Sequence, residues 1–175
     1  MRQKHIGNLL NETQQTIGQS VKSVASSYDN LGNRLGMTYP SGKNVAFTRD
    51  SLDRIQNIAS NMVNIAAYGY IGAGNRVSSR MHGNNTRLDV VYDTNRRITN
   101  YSHMSNNAPP MPVAQFEYGY DRENNLSYEK RYLENKGDAY VYDSIYRLTG
   151  VKYGVPNTML VPLIPYDSYL QYDKQ

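Results

Sequence analysis

A tyrosine–aspartate signature returns along this chain at a nearly fixed interval, and that period constrains the fold more than any other feature. Six segments align: Tyr28 to Leu35, Arg49 to Ile55, Tyr70 to Val77, Tyr92 to Ile98, Tyr120 to Leu126 and Tyr142 to Leu148. The acid column reads Asp29, Asp50, Ile71, Asp93, Asp121 and Asp143, at successive intervals of 21, 21, 22, 28 and 22 residues. The long interval holds an insertion, residues 103–113, rich in Asn, Pro and Met. Arginine recurs as Arg34, Arg54, Arg76, Arg97 and Arg147, with Asn125 the exception, and an aliphatic residue follows in every copy. Three columns kept together at one spacing mark an array of small supersecondary units.

Each column has a physical reason. Before the acid, apolar residues fall on alternate positions, as in Phe116, Tyr118 and Tyr120, or Leu88, Val90 and Tyr92. Period two is a strand with one buried face. The acid then opens a turn, because an Asp side chain accepts bonds from the backbone N–H groups that follow it. Three residues on, Gly32 and Gly74 offer an easy left-handed backbone, which Asp53 and Asn124 tolerate. Arg96 and Tyr146 suit that conformation poorly, which predicts a different geometry for their two turns. The returning strand carries Arg and the aliphatic residue. Its guanidinium is expected to lie on tyrosine rings while its charge faces the acid or water. A second turn follows, as in Tyr39-Pro40-Ser41-Gly42 and His82-Gly83-Asn84-Asn85. One repeat is thus two strands and two turns. The whole predicts an all-β chain of roughly 12–14 short antiparallel strands in a twisted, curved sheet, with only residues 6–23 left open to a helix.

Composition agrees with this. Only 39% of the 175 residues are hydrophobic, yet 17 are tyrosine, with two Phe and no Trp. Tyrosine buries a large ring and keeps a polar tip for an edge or a partner, which suits half-buried sheet surfaces. There is no cysteine, so disulfides contribute nothing and the compartment stays open. The formal charge of +4 comes without any long basic block. Met1-Arg2-Gln3-Lys4 is not followed by an apolar run, so it is no secretory signal. No stretch reaches the roughly 18–20 apolar residues that span a membrane as a helix.

The array, residues 28–153, has units starting near 28, 49, 70, 92, 120 and 142, and both flanks are irregular. Residues 1–27 contain a degraded copy, Lys4 to Leu10, with Gly7, Asn8 and Leu10 in register. Residues 154–175 are read as a Pro-rich insertion and the start of a further repeat, at Tyr172-Asp173 or alternatively Tyr166-Asp167. An array that stops inside a unit exposes a raw strand edge, so the chain is expected to be a piece of a longer protein.

The signature resembles the RHS repeat, also called the YD repeat: an aromatic, any residue, Tyr-Asp, two variable residues, Gly, an optional Asn, Arg, then Leu or Thr. Tyr28-Asp29-Asn30-Leu31-Gly32-Asn33-Arg34-Leu35 matches nearly throughout, and Tyr142 to Leu148 matches except at the glycine. Bacterial RHS proteins, shell components of insecticidal Tc toxins and animal teneurins carry such repeats. The resemblance, over roughly residues 4–153, implies a β-sheet that spirals into a hollow shell around a C-terminal toxin domain, or a surface scaffold. The parent protein would then be secreted or displayed on a cell surface, and the partners would be neighbouring repeats and an enclosed toxin domain. The family's autoproteolytic core segment has no counterpart here, so no releasing chemistry carries over.

Sharper readings of single residues fare worse than the structural one. Catalysis needs groups that converge on one pocket, whereas a column repeated every 21 or 22 residues lines up along a sheet. The expectation is no catalytic residue and no cofactor. His5, His82 and His103 lie far apart with no cysteine, so no metal site is expected. Gly69, Gly72 and Gly74 loosely resemble a phosphate-binding loop, but they stand in repeat register with no helix to follow. Tyrosines with net positive charge suit single-stranded nucleic acid, but acids alternate with the arginines and no nucleic-acid partner is expected. Exposed tyrosines beside asparagine would suit carbohydrate, which makes a sugar-binding module the main alternative to a shell segment. Four asparagines, among them Asn84 and Asn100, fit the glycosylation sequon, as chance predicts in an Asn-rich chain.

Overall fold

The alternating pattern of the sequence becomes strand after strand in the computed structural model, which describes residues 2–17 and 19–160. It divides into two units, residues 1–86 and 87–175. The first holds β1 (Arg2–Ile6), β2 (Leu9–Ile17), β3 (Ser20–Tyr28), β4 (Arg34–Thr38), β5 (Asn44–Arg49), β6 (Ile55–Ser60), β7 (Val63–Tyr70) and β8 (Val77–His82). The second holds β9 (Thr86–Tyr92), β10 (Ile98–Ser105), β11 (Pro112–Tyr120), β12 (Leu126–Arg131), β13 (Lys136–Tyr142) and β14 (Leu148–Pro156), then one 3-10 turn, Asn157–Met159. In each unit strand order is chain order and neighbouring strands run antiparallel. The fold is all-β with fourteen strands among the described residues, as the repeat predicts.

The segment left open to a helix is not one. Residues 9–17 and 20–28 form β2 and β3, paired from Glu12↔Ala25 to Ile17↔Ser20. Thr13, Thr16, Ile17, Val21 and Val24 are β-branched, and such residues lose χ1 freedom in a helix but fit a pleated surface. The insertion at 103–113 folds partly as strand. It lengthens β10 to Ser105 and starts β11 at Pro112, leaving the loop 106–111.

The hairpins differ at their two ends. At the end away from the aspartates, β6 and β7 are joined through Asn61 and Met62, with φ of 47° and 66°. Two successive left-handed residues make the tight turn whose twist matches the strands. At the aspartate end a bulge falls beside the repeat's first residue. Gly69 pairs Ser79 but Tyr70 pairs Val77, and Gly119 pairs Tyr128 but Tyr120 pairs Leu126. A bulge at the same place in successive repeats adds the same local twist each time. At Thr149, a bulge residue, the hydroxyl donates to Val141 C=O at 3.2 Å.

Burial is thin. Among the described residues no large side chain is fully buried, and Ala66, Leu88, Val90, Tyr128, Val155 and Leu160 are the buried apolar ones. Tyr128, Val155 and Leu160 pack together with Ala139 at the end of the second unit. Two glycines permit that packing. A Cβ on Gly119 would sit 2.0 Å from the Tyr128 ring, and one on Gly137 would sit 2.0 Å from Glu129 O and 2.5 Å from Leu160 Cδ1. With so little core, the polar turns must hold the strands in register.

Candidate functional site

The columns of the repeat meet at the turns, and the five aspartate turns close the same way. The aspartate N–H donates to the carbonyl four residues on: Asp29 to Asn33, Asp50 to Arg54, Asp93 to Arg97, Asp121 to Asn125 and Asp143 to Arg147, at 2.9–3.0 Å. Its own carbonyl accepts from the third residue, at 3.0–3.3 Å. Asp Oδ1 then accepts from the backbone N–H four residues on in all five, and at Asp29, Asp50 and Asp143 also from the N–H two residues on, as Asp50 does with Leu52 and Arg54 at 2.9 and 3.0 Å. This satisfies N–H groups that a bare turn would leave to water.

The third residue is left-handed in all five: Gly32 (φ 86°), Asp53 (62°), Arg96 (69°), Asn124 (73°) and Tyr146 (65°). The expectation of another geometry at Arg96 and Tyr146 is therefore overturned. Five bonds from one aspartate outweigh the roughly 1–2 kcal/mol that a left-handed side-chain-bearing residue costs. The turn without an acid does differ. Ile71 N–H reaches Arg76 O at 3.0 Å, one residue further on, and its left-handed glycine is Gly72, not Gly74.

The second carboxylate oxygen holds the arginine. Nε of Arg54, Arg97 and Arg147 each donates to Oδ2 of Asp50, Asp93 and Asp143 at 2.7 Å. In two turns an asparagine stands there, Asn33 Nδ2 to Asp29 Oδ2 at 3.1 Å and Asn125 to Asp121 at 2.8 Å. Counted from the acid, then, Arg34 is not in the arginine column. The extra residue Asn33 takes the position, and Arg34 lies over Tyr28 of its own hairpin, 5.8 Å from the ring centroid.

The clamp also reaches the next repeat. Arg54 lies 4.4 Å over the Tyr70 ring and its Nη1 donates to Gly72 O and Gly74 O at 2.8 and 2.7 Å. Arg97 lies 4.4 Å over Tyr120 and its Nη1 donates to Asn124 Oδ1 at 2.9 Å and Asp121 O at 3.3 Å. The tyrosine hydroxyl returns the contact: Tyr70 to Ile55 O at 2.6 Å, Tyr120 to Ile98 O at 2.8 Å, and Tyr28 to Leu10 O at 2.8 Å. The last of these puts Leu10 where Ile55 and Ile98 stand. There Leu9 replaces the arginine and packs against Gly32. Sequence reading found the columns but missed this reach across repeats. Counting strictly from the aspartate is the signal that would have exposed it.

These contacts set the electrostatics. Asp50 is held below the ordinary carboxylate value of 3.8 chiefly by the Arg54 guanidinium, Asp143 and Asp29 chiefly by backbone N–H bonds from Arg147 and Asn33. At Asp93 desolvation pulls upward, but the Arg97 backbone and side-chain bonds together pull it below. Desolvation raises the Tyr70 and Tyr120 hydroxyls. All the groups are thereby fixed in the forms that bond each other. Between the turns at Asp93 and Asp121 lies an open groove of about 680 Å³ lined by Asn95, Arg97, Ile98, Tyr120, Arg122 and Asn124, without a carboxylate or histidine. Among the described residues no three His, Cys, Asp or Glu side chains gather as a metal site. No described helix is long and apolar enough to cross a membrane. Among the described residues Tyr39, Tyr132, Tyr146 and Tyr153 are the exposed tyrosines, on separate turns and strands. Tyr92 and Arg76 lie at the end of β9 and just before β8, while the tyrosine–aspartate pairs at 166 and 172 lie outside the described residues.

No protein-family model and no curated protein matches the sequence. Solved structures do match the fold. The Tc holotoxin pore of Photorhabdus luminescens aligns with 73% of this chain at TM-score 0.62 and 17% identity, covering 7% of its own chain. The TcdB2-TccC3-TEV structure aligns with 84% at TM-score 0.67 and 15% identity, covering 9%, and TcdB2-TccC3 with 83% at TM-score 0.64 and 17% identity, covering 7%. This chain thus spans less than a tenth of the solved chains it resembles. The resemblance to RHS/YD-repeat proteins read from the signature therefore extends to the fold: the chain is built as part of these Tc toxin structures is built.

Proposed function

We propose that this chain is a structural, non-catalytic segment of an RHS/YD-repeat protein, forming wall in a β-shell that encloses or displays a toxin or surface domain. The observation that carries the reading is the double use of one side chain. Arg54 and Arg97 close their own turn and bond the turn of the following repeat. The conspicuous acid and base columns are thereby engaged in holding hairpin to hairpin, and what they can do chemically is keep register along a sheet. The likeness to part of Tc toxin structures supports the same reading. The neighbouring repeats and the enclosed domain are the partners, and the parent protein is secreted or on a cell surface.

The test is limited proteolysis of the longer polypeptide that carries this array. A domain enclosed by the shell resists trypsin while the array is folded, and becomes cleavable when Arg54 and Arg97 are both replaced by alanine. Cleavage of that domain at the same rate with the array intact contradicts the enclosing role.

A further inference from the structure

Met62 stands where the fold gains nothing from it. It holds the second left-handed position of the β6–β7 turn, with φ of 66°, a conformation that suits glycine or asparagine and strains a longer side chain. It is 100% exposed, and Val63 beside it is 67% exposed. The neighbouring tips of the first unit are alike. Its strands run antiparallel in chain order, so the β2–β3, β4–β5 and β6–β7 connections lie at one end, opposite the aspartate turns. Ile17 and Val21 flank the first connection and Tyr39 stands on the second, all exposed. The second and third are tied together: Asn44 N–H donates to Asn61 Oδ1 and Asn61 N–H to Asn44 O, both at 3.2 Å. Adjacent hairpins are two strands apart, ~10 Å, so the apolar tips form a row ~20 Å long.

Charge divides the two ends of the unit. Beside Tyr39 lies an open groove of about 490 Å³ lined by Lys22, Tyr39, Pro40, Ser41, Lys43 and Val45. Among the described residues no acid lines it and neither lysine has an ion-pair partner. The backbone closes this turn, Tyr39 N–H to Lys43 O and Gly42 N–H to Tyr39 O, both at 2.9 Å, which fixes Lys43 at the rim. Ser41 Oγ accepts from Lys43 N–H at 3.4 Å, which leaves the hydroxyl proton for an anion. The acids lie elsewhere: Asp29, Asp50 and Asp53 are at the opposite turns, and Glu12 is bonded to Lys4. Leu31 and Leu52 are also exposed, but they stand beside those carboxylates.

Apolar tips with two cations behind them match the boundary of an anionic bilayer, where apolar side chains enter the headgroup region and ammonium groups meet lipid phosphate. We propose that this end of the first unit docks on an anionic membrane surface. Met62 and Val63 enter the headgroup region, Tyr39 lies at its boundary, and Lys22 and Lys43 hold headgroup phosphates. The contact lies on the membrane and spans nothing. A nucleic acid or a sulfated chain would need cations in succession along the row, and the β6–β7 tip, Asn61 to Asn64, carries none. The inference goes beyond the shell reading and does not depend on it.

Co-sedimentation of the full chain with vesicles tests this. The chain is expected to sediment with vesicles of phosphatidylcholine and phosphatidylserine, at a ratio of about two to one, and to stay in solution with phosphatidylcholine alone. Met62→Asn with Val63→Thr should weaken the partition by about fivefold or more, and Lys22→Gln with Lys43→Gln by about tenfold. Leu31→Asn, at the opposite end, should leave it within about twofold. Asparagine suits the left-handed turn and threonine suits a strand, so the first pair keeps the fold, which an unchanged circular dichroism spectrum verifies. Three results overturn the proposal. The unaltered chain stays in solution with both kinds of vesicle; Leu31→Asn weakens the partition as much as the Met62 and Val63 pair; or the lysine pair abolishes it while the Met62 and Val63 pair changes nothing. The last would assign the lysines to a soluble polyanion. Each leaves the shell reading standing, since that reading fails only if the enclosed domain is unprotected.

Discussion

Tyr120 separates the parts of a repeat joint. Its hydroxyl donates to Ile98 O at 2.8 Å, and its ring lies 4.4 Å beneath the Arg97 guanidinium. Tyr120→Phe removes the hydroxyl alone and strands a half-buried carbonyl, a loss of about 1 kcal/mol. Tyr120→Leu also removes the ring from under the cation, which adds about 1 kcal/mol for a partly exposed cation–π contact, before lost packing. The expected order is therefore Phe at about 1 and Leu at about 2–3 kcal/mol. Tyr153→Phe, at a ring 76% exposed, is the control and should stay within about 0.5 kcal/mol. Urea unfolding followed by circular dichroism reads these differences, provided the slope m is unchanged. A double-mutant cycle of Tyr120→Leu with Arg97→Met should return a coupling of about 0.5–2 kcal/mol. Equal values for Tyr120→Phe and Tyr153→Phe, together with no coupling in the cycle, would refute the joint as a source of stability.

Three further outcomes follow from the geometry. Gly137→Ala should cost more than about 3 kcal/mol, because the new methyl meets Glu129 O at 2.0 Å, while Gly74→Ala, with nothing within 4 Å, should stay within about 1 kcal/mol by thermal denaturation. Arg96→Gly and Tyr146→Gly should each raise the melting temperature, since φ of 69° and 65° suits glycine without strain and these side chains are not needed to close the turn; a drop in both would show that the strain argument is wrong. Stability should hold flat above about pH 5 and fall below about pH 4. The folded values of Asp50, Asp93 and Asp143 lie below the ordinary 3.8, so what they contribute is whole above that value and is lost as pH falls through the depressed one. Glu12, pulled down to about 2 first by its bond to Lys4 and then by Ser23 and Gln14, acts in the same sense. Asp50→Asn with Asp93→Asn should flatten the acid limb, and a stability loss centred instead between pH 6 and 8 would contradict this.

The strands were legible because one local rule decides them: alternation before the aspartate and a turn after it. That rule placed the turns at Asp29, Asp50, Asp93, Asp121 and Asp143 correctly. It failed where a local preference met a larger set of bonds. Arg96 and Tyr146 look wrong for a left-handed position only while the bonds around the neighbouring aspartate are ignored. Residues 6–23 look ambiguous alone, yet pairing with β1 and β4 on either side settles β2 and β3 as strands. Arg34 was aligned by residue type, whereas the structure counts from the acid and finds Asn33. The reach of Arg54 and Arg97 into the following turn lies 16 to 27 residues away in sequence, and no local pattern carries it.

The central claim is that the arginine column couples one hairpin to the next. The side-chain Nε–H signals of Arg54, Arg97 and Arg147 in a heteronuclear NMR spectrum test it most directly. All three should exchange slowly, bonded to their aspartates. The outer guanidinium protons of Arg54 and Arg97 should carry upfield ring-current shifts that disappear with Tyr70→Leu and Tyr120→Leu respectively. Guanidinium signals for Arg54 and Arg97 that match the exposed Arg87, before and after those substitutions, would contradict the account.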